Sequence, residues 1–498
     1  MEGCIIRLPL HNRIVNRKGS MMNIELCNTM YCSGCGLCAY ICPQSAIEMK
    51  PNSEGFRYPC IDEQKCVECG LCHTTCPINN VSSSSCEITG RAFAGYSKCT
   101  NTLLNCSSGG VASHLASKFI SEGGIVFGVK YASDFTRTVY DEIDSIKELS
   151  AISKSKYAET DRSELFKKLP MALKTGKQVL VIGLPCDISA VRILVGYPPN
   201  MFVCELCCMA TTSQKALKQY VEQKESENKS DIEELDLRNK QIEFPAFPSW
   251  IRIKYKSGVD ERDLWTNQDL YKAFFILNRE SCSNCIYKND FSKADLKVGD
   301  FQGISSKEEY YNSLGVSLII PITQRGMECL LSLNDFYLKE VDYEKSVSYN
   351  WMFTSKYPRY FERDAFSMDF VRYGLHYACS QLVLRQRGTV ISASRELERG
   401  DRRVLIWGCG LTLKSFEEIV NISKWNIVAC FDSSLFKVGT VFMGMIVEDI
   451  SKIIKYKEKA DVVVSFIPTS SDSELDEVLL ENGWSGSTMH LGKYKFIR

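Results

Sequence analysis

The sequence contains one cysteine pattern twice, near its beginning. The copies are Cys32-x2-Cys35-x2-Cys38-x3-Cys42-Pro43 and Cys66-x2-Cys69-x2-Cys72-x3-Cys76-Pro77. They are offset by 34 residues, and both contain the tetrapeptide CGLC. This repetition constrains the fold more than any other feature of the chain, because each copy must bring its sulfur atoms together.

The spacing is that of a bacterial-type ferredoxin segment that holds two 4Fe-4S clusters. In such a segment three closely spaced thiolates bind one cluster, and the fourth binds the other. The predicted ligand sets are Cys32, Cys35, Cys38 and Cys76 for one cluster, and Cys42, Cys66, Cys69 and Cys72 for its twin. Structural zinc takes paired Cys-x2-Cys arms, and disulfides do not explain the repetition or the prolines. We place this α+β ferredoxin-like domain at residues 28–77.

The composition is that of a multidomain protein without an electrostatic bias. A length of 498 residues predicts three or more domains. The 60 basic residues balance the 60 acidic ones, which gives no reason to predict binding to nucleic acid or to an anionic membrane. There are 24 cysteines, which in so long a chain favour a reducing cytoplasm over a disulfide scaffold.

No apolar run of about 18 residues predicts a transmembrane helix, so we expect no membrane insertion. The first 20 residues make a poor signal peptide, because Arg7 and Pro9 interrupt the apolar stretch. A translation start at Met21 or Met22 is an alternative to Met1. The stretch Ile78–Gly90, with a serine run at Ser82–Ser85, predicts a flexible linker.

The middle of the chain predicts an α/β core. Apolar periodicity indicates a helix at Val111–Ser121 and strands at Ile125–Tyr131 and Val179–Ile182. The charged region Gln214–Lys240 predicts a solvated helix and a loop. A polar stretch, Arg385–Arg402, is expected to separate off a last unit.

That last unit predicts a Rossmann-like domain at residues 402–498. Gly408-x-Gly410 follows an apolar strand, and Asp432 lies about 20 residues further on. Leu413 stands where a third glycine is expected, so bound NAD is the weaker prediction. A nucleotide, a nucleotide-linked sugar or a protein partner are alternatives, since fold alone does not choose between them.

Several motifs occur in order between residues 90 and 340. They are Ser107-Ser108-Gly109-Gly110, Ser155-Lys156-Tyr157, Gly183-Leu184-Pro185-Cys186, Cys208 with Ser213, Cys282-x2-Cys285-x-Tyr287, Gly299-Asp300-Phe301-x-Gly303 and Gly315-Val316-Ser317-Leu318. Together they resemble the coenzyme F420 hydrogenase/dehydrogenase beta-subunit family, which is built on a flavin-binding α/β core. We place this core at residues 91–345, so the fold class expected for the whole chain is α/β.

The resemblance implies FAD and a third 4Fe-4S cluster beside it. The ligands carried over are Cys186, Cys208, Cys282 and Cys285. The sequence departs from the family at Met209-Ala210, where His-Gly usually follows the cysteine. Cys204 and Cys207 are therefore alternatives for the second ligand, and a set of buried free cysteines is the alternative to the cluster itself.

The resemblance also implies which residues contact the flavin. They are Ser107, Ser108, Gly109, Gly110, Ser155, Lys156, Tyr157, Gly183, Pro185, Gly299, Asp300 and Phe301. Glycines permit close backbone approach, and amides at a helix start attract phosphate, although Ser-Ser-Gly-Gly also suits a plain helix entry. Lys156 would neutralise a pyrophosphate or a reduced flavin, and Asp300 would otherwise cap a turn.

No catalytic residue is predicted. The five histidines have no ligand or triad spacing, and hydride transfer from a flavin needs little acid–base chemistry from the protein.

The resulting prediction is an iron–sulfur flavoprotein oxidoreductase. Electrons pass between the 4Fe-4S clusters and FAD, and FAD exchanges hydride with coenzyme F420 or another organic substrate. The predicted partners are a ferredoxin or other one-electron carrier, a small-molecule substrate and partner oxidoreductase subunits. The alternatives are a non-catalytic electron-relay subunit of a larger hydrogenase/dehydrogenase complex and a reductase in glycan-precursor biosynthesis.

Overall fold

The protein is described here by a computed structural model. It describes residues 28–80, 86–87, 90–240, 250–288, 291–399, 402–434, 437–468 and 472–497. The expectations about a start at Met21 or Met22, and about the serine run Ser82–Ser85, lie outside these residues. The chain divides into two compact units, Met1–Tyr357 and Pro358–Arg498.

The first unit begins with the cysteine repeats. Its elements are α1 (Leu37–Ile41), β1 (Ile47–Pro51), β2 (Arg57–Ile61) and α2 (Leu71–Thr74). Strands β1 and β2 form an antiparallel pair. Each short helix begins after a glycine in the left-handed region, Gly36 (φ 80°) and Gly70 (φ 72°), where a residue with a Cβ would be strained. The equivalent glycines give both repeats the same local fold.

The rest of the first unit is an α/β core. Its strands are β3 (Cys86–Glu87), β4 (Ala92–Ser97), β5 (Ile125–Tyr131), β6 (Thr138–Ile143), β7 (Thr160–Asp161), β8 (Val179–Gly183), β9 (Met201–Leu206), β10 (Ile232–Asn239), β11 (Trp250–Tyr255), β12 (Asp260–Leu264), β13 (Phe291–Ser292), β14 (Leu296–Asp300), β15 (Ser317–Pro321) and β16 (Phe336–Val341). Its helices are α3 (Thr100–Leu104), α4 (Val111–Ser121), α5 (Leu149–Ile152), α6 (Ser163–Lys174), α7 (Pro185–Val195), α8 (Gln214–Asn228), α9 (Asp269–Ile276), α10 (Glu280–Ser283), α11 (Gln324–Leu331) and α12 (Tyr343–Tyr349).

Nine of these strands form one sheet, in the order β16-β4-β15-β14-β9-β8-β5-β6-β7. Strands β14, β9, β8 and β5 are parallel neighbours, so their carboxyl ends lie at one edge of the sheet. Ligand sites in such sheets lie beyond this edge. Strands β10, β11 and β12 form a separate antiparallel sheet.

Helices cover both faces of the nine-stranded sheet. Strand β8 is buried along its whole length, as expected for a central parallel strand. On one face Leu115 of α4 packs in the core with Phe202 of β9. On the other face Phe166 of α6 packs with Val181 of β8, and Leu37 of the cysteine repeats joins the same core. The repeats are therefore anchored on α6.

The charged region Gln214–Lys240 is only partly the expected helix and loop. Helix α8 is confirmed, but the second half forms strand β10 instead of a loop. The reason is that Leu235 and Leu237 are buried and β10 pairs with β11, while charged neighbours hide the apolar positions in the sequence.

The second unit contains a six-stranded sheet and a helical pair. Its elements are α13 (Arg363–Tyr373), α14 (Leu375–Arg399), β17 (Arg403–Trp407), α15 (Leu411–Glu417), β18 (Asn426–Asp432), β19 (Val441–Phe442), β20 (Met445–Asp449), β21 (Val462–Ser465), α16 (Asp472–Glu481) and β22 (Ser487–His490). The strand order is β19-β20-β18-β17-β21-β22, and every pair except β19–β20 is parallel. Its five parallel strands follow the order of doubly wound α/β sheets.

The polar stretch Arg385–Arg402 does not separate two units. Most of it belongs to the 25-residue helix α14, whose Val390 and Leu397 pack in the core of the C-terminal sheet. Its buried polar residue, Gln386, is paired: its amide donates to the Tyr360 hydroxyl at 2.9 Å. The prediction of a separating segment was wrong because the stretch is rich in polar residues, although the helix that they form packs against a core.

The two units together confirm the α/β fold class. Within the described residues, no helix combines the length and apolar character that a membrane crossing requires.

Candidate functional site

The first group of cysteines comprises Cys32, Cys35, Cys38 and Cys76, three from the first repeat and one from the second. Burial, with smaller contributions from Cys32 and Cys76, raises the pKa of Cys35 to about 11. Burial also raises the pKa of Cys38, with added repulsion from Cys35, Cys32 and Cys76. The four sulfur atoms are therefore near one another, in the combination expected from the spacing. Their role as ligands stays a prediction.

The second group comprises Cys42, Cys66, Cys69 and Cys72. All four line one cavity of about 320 Å³, a volume that includes the part open to solvent. Burial raises the pKa of Cys72, and the Cys66 and Cys69 thiolates add to it. Cys69 is exposed, whereas Cys32 of the first group is buried. The second group therefore lies at the surface.

The third group comprises Cys186, Cys208, Cys282 and Cys285. Cys186 is the second residue of α7, just after β8, and Cys208 follows the end of β9, so the parallel sheet places both at its carboxyl edge. Cys282 and Cys285 come from α10 and the turn after it. Burial raises the pKa of Cys186 well above its ordinary value, and Cys208 and Cys285 add to this rise. The pKa of Cys208 is raised in turn by burial and then by Cys282 and Cys285.

The two alternative cysteines lie in other surroundings. Cys204 is fully buried in the core with Phe202 and the residues of α4. Cys207 faces the lysines Lys288 and Lys297, which oppose the rise in its pKa that burial causes. The thiolates that raise the pKa of Cys208 include Cys282 and Cys285 of the third group.

The three groups fit iron–sulfur clusters in their chemistry. No disulfide joins the twelve cysteines of the three groups. The raised pKa values of Cys35, Cys186 and Cys208 mean that buried thiolates need positive charge, which iron and nearby cations supply. Among the described residues no three His, Cys, Asp or Glu side chains are spaced to hold a single metal ion.

Sequence reasoning missed the cations around these sulfurs. The Lys288 ammonium donates to the backbone carbonyls of Cys208 and Met352 and opposes the burial effect on the pKa of Cys208. The Arg279 guanidinium donates to the Cys32 carbonyl at 2.7 Å and to the Glu159 carboxylate at 3.1 Å. Arg162 is paired with Asp187, and both are almost fully buried.

The residues expected to contact a flavin also come together. The Ser107 and Ser155 hydroxyls are 3.0 Å apart, and the Ser108 hydroxyl donates to the Val316 carbonyl at 2.8 Å. Gly109 lets neighbouring backbone segments pack closely, because it has no side chain. A Cβ at this position would lie 2.2 Å from the Gly95 carbonyl oxygen. The Ser-Ser-Gly-Gly turn is thus a tightly packed junction that precedes α4, with Gly110 in the left-handed region (φ 84°).

Arg238 links three of those segments, although no sequence feature marked it. Its guanidinium donates to the Ser107 carbonyl at 3.0 Å, to the Tyr157 hydroxyl at 3.1 Å and to the Asp300 carboxylate at 2.9 Å. Strand β10 carries it, which is why a loop expectation for this region could not reveal it. Lys240, two residues on, donates to the Leu103 and Ser108 carbonyls.

Lys156 is buried, not a surface lysine. Its ammonium donates to the Ser153 carbonyl at 2.6 Å and the Lys154 carbonyl at 3.1 Å. Burial lowers its pKa from 10.5 to about 7, although Asp236 opposes this change. A bound anion would oppose this lowering of the pKa and so favour the charged ammonium of Lys156.

The remaining predicted contacts lie at the carboxyl edge of the sheet. Gly183 ends β8 and Pro185 begins α7, and a Cβ at Gly183 would lie 2.4 Å from the Tyr140 hydroxyl. At the end of β14, a Cβ on Gly299 would lie 2.6 Å from the Cys207 Cβ. Phe301 is buried and stacks on Tyr310 at 5.9 Å between ring centroids. These four residues therefore lie at the same edge of the sheet as Cys186 and Cys208.

In the second unit, the strand-end residue Asp432 is already engaged. Its carboxylate accepts the Cys409 amide at 2.9 Å and the Ser434 amide at 2.9 Å, and pairs with Lys437 at 3.1 Å. Dinucleotide-binding folds use an acidic residue here for the ribose hydroxyls. The occupied carboxylate agrees with the view that NAD is the weaker expectation.

Two segments match known families. Residues 31–80 match the model of the 4Fe-4S dicluster domain, and they define an iron–sulfur protein. Residues 176–345 match the model of the C terminus of the coenzyme F420 hydrogenase/dehydrogenase beta subunit. The resemblance stated from the sequence is confirmed over these segments, and the chain is related to that group of oxidoreductases.

Two individual proteins show shorter or weaker similarity. Pyruvate synthase subunit PorD of Thermotoga maritima is 63% identical over 27 residues, which are 5% of this chain and 27% of that protein. The matched stretch thus spans about a quarter of that relative. A chain in the F420-reducing [NiFe] hydrogenase complex of Methanosarcina barkeri aligns with 16% identity and a TM-score of 0.36, covering 53% of this chain and 90% of that chain.

Proposed function

We propose that this protein is an iron–sulfur flavoprotein oxidoreductase that takes electrons from, or gives them to, a one-electron carrier and exchanges hydride with a small organic molecule. When bound, 4Fe-4S clusters supply single-electron transfer, and FAD converts single electrons into hydride. The observation that carries the proposal is that the three cysteine groups and the flavin segments all lie in the first compact unit.

The chain's own residues have three tasks in this proposal. The twelve cysteines of the three groups hold iron, and Lys288 and Arg279 offset the negative charge of their thiolates. The tight turn at Ser108-Gly109-Gly110 presents backbone to the dinucleotide, because a side chain at Gly109 would collide with Gly95. Lys156 offers a proton to an anionic flavin, since its pKa of about 7 lets it change charge near neutrality.

Arg238 is the positioning residue for the flavin. Its three hydrogen bonds fix Ser107, Tyr157 and Asp300 relative to one another before any ligand binds. Such preorganisation lowers the entropy cost of binding. The substrate class is coenzyme F420 or another organic hydride acceptor, in line with the family that residues 176–345 match.

The test uses the full chain, prepared anaerobically. We expect about twelve irons per chain for three cubane clusters, together with one FAD released on heating. With dithionite or reduced ferredoxin as donor, the protein should then reduce coenzyme F420 or another candidate acceptor in many turnovers. Material without flavin would contradict the proposal.

A second candidate is a relay subunit that passes electrons without a substrate of its own. It is favoured by one observation, namely that the matched family model describes a beta subunit. A chain with about twelve irons and no acceptor turnover alone, but with turnover after addition of a partner subunit, would support the relay.

A further inference from the structure

One position of the first cysteine repeat faces the protein interior, whereas the equivalent position of the second repeat is exposed. In the first repeat Gly34 has φ 67°, and a Cβ there would lie 2.6 Å from a Glu159 carboxylate oxygen and 2.7 Å from an Arg279 guanidinium nitrogen. The equivalent residue of the second repeat is Glu68, which has φ 52° and is exposed. Both repeats thus keep the same left-handed backbone, but only the first lacks room for a side chain.

The pair that occupies this space connects the first group to the third. Arg279 donates to the Cys32 carbonyl at 2.7 Å and lies 3.8 Å from the Cys32 sulfur. The Cys282 amide of the third group in turn donates to the Arg279 carbonyl at 2.9 Å. One buried arginine therefore contacts both groups directly.

Arg162 makes a second connection of the same kind. Its guanidinium donates to the Gly34 carbonyl at 3.4 Å, between Cys32 and Cys35. It also pairs with Asp187, which follows Cys186 in the chain and lies 3.9 Å from the Cys186 sulfur.

We propose that Arg162 and Arg279 form a buried cationic junction through which the first cysteine group, and not the second, is coupled to the third. This inference rests on the proposed function, since it requires iron in all three groups. In the second group Cys69 is exposed, and the nearby Val67 is 60% exposed. This group therefore exchanges electrons with the external one-electron carrier.

The junction has an electrostatic consequence. Reduction by one electron adds one negative charge to the first group, and a guanidinium at van der Waals distance from the Cys32 sulfur stabilises that charge in a buried, low-dielectric site. Arg279 should therefore raise the midpoint potential of one ferredoxin-type cluster relative to the other. Its carboxylate partner Glu159, at 3.1 Å, holds the guanidinium in place.

The experiment is a potentiometric titration of the anaerobically prepared full chain, followed by electron paramagnetic resonance. Arg279→Gln should lower the midpoint potential of one cluster by about 59 mV, which corresponds to a tenfold change in the one-electron equilibrium constant. The midpoint potentials of the other two clusters should stay unchanged. Arg279→Lys should keep most of the wild-type value, because it keeps the charge. Cys69→Ser identifies which resonance signal belongs to the second group. The matched control is Arg252→Gln, because Arg252 forms an ion pair with Asp260 away from the cysteines.

The repeat asymmetry provides a second, independent variant. Gly34→Ala should lower the same potential and the unfolding temperature, whereas Glu68→Ala at the equivalent position should change neither. The junction would be overturned if Gly34→Ala and Glu68→Ala changed the midpoint potential equally. It would also be overturned if Arg279→Gln kept its iron content but showed no shift in midpoint potential. A wild-type chain with about eight irons or fewer would instead overturn the three-cluster arrangement that both the proposed function and the junction require.

Discussion

At the scale of single residues, three cysteines within five positions have three different surroundings. Cys204 lies in the core beneath α4, Cys207 faces Lys288 and Lys297, and Cys208 joins Cys186, Cys282 and Cys285. Their spacing alone leaves all three available as ligands. The strand β9 separates them, because successive side chains point to opposite faces and the chain turns away after Leu206.

Cys208→Ala should therefore remove one cluster while Cys204→Ala should not. The expected iron content falls from about twelve to about eight per chain in the first variant and stays unchanged in the second. Iron analysis of anaerobic preparations measures both. Equal iron loss in Cys204→Ala and Cys208→Ala would show that the assignment of the third group is wrong.

Lys156 gives a prediction about pH. Its pKa is about 7 in the folded protein against an ordinary value of 10.5, so between these pH values the unfolded chain binds more protons than the folded one. The free energy of unfolding of the flavin-free protein should then rise with pH in this window, by at most about 1.4 kcal/mol per pH unit from this group.

Lys156→Met removes this contribution and should flatten the rise, with its largest gain in stability near pH 7. Denaturant unfolding at pH 7, 8 and 9, all inside the window, measures the slope. The control is Lys147→Met at an exposed position, which should keep the wild-type slope. An unchanged slope in Lys156→Met would contradict the burial of this charge.

At the scale of elements, strand β10 is the least expected and most informative part of the site. It carries Arg238 toward the Ser-Ser-Gly-Gly turn, with Lys240 just after its end, and it pairs with β11. Charged residues on four of its eight positions conceal the buried Leu235 and Leu237. Tertiary packing therefore decided this element, while the local pattern favoured a loop.

Arg238→Gln tests the role of that strand. The loss of a charged hydrogen-bond donor costs about 1.5–3 kcal/mol, so flavin affinity should fall about tenfold or more. Flavin retained after gel filtration and flavin titration of the stripped protein measure the change. Arg252→Gln on the neighbouring strand β11 should bind flavin as the wild type does, and equal losses in the two variants would remove Arg238 from the site.

Elements with a simple apolar period were predicted well. Helix α4 and strand β5 have the bounds expected from the sequence, because Val111, Leu115 and Phe119 repeat on one helix face and β5 is a continuous apolar run. The eight cysteines of the first two groups could be grouped from their spacing, which is chemically restrictive, whereas the third group came from the family resemblance. Their role as ligands stays a prediction. Arg162 and Arg279 were not predicted, because an isolated arginine carries no pattern and its partner, Glu159 or Asp187, is visible only after folding.

At the scale of the whole molecule, the domain boundaries drawn from the sequence stay predictions. The structure adds that α14 packs with the C-terminal sheet, so a fragment for binding studies should begin near Pro358. A fragment that begins at residue 402 would lack Val390 and Leu397 from its core. The choice of fragment thus follows from packing and not from the glycine motif.

The exposed position of the second cysteine group has a consequence for handling the protein in air. Cys69 is the exposed member of the three groups, so molecular oxygen and alkylating reagents reach it first among these twelve cysteines. Brief aeration should therefore give an intermediate that has lost about four of about twelve irons. Among the cysteines of the three groups, mass spectrometry after alkylation should find the label first on Cys69. Simultaneous loss of iron from all three groups would mean that the first and third groups are no better protected from oxygen than the second.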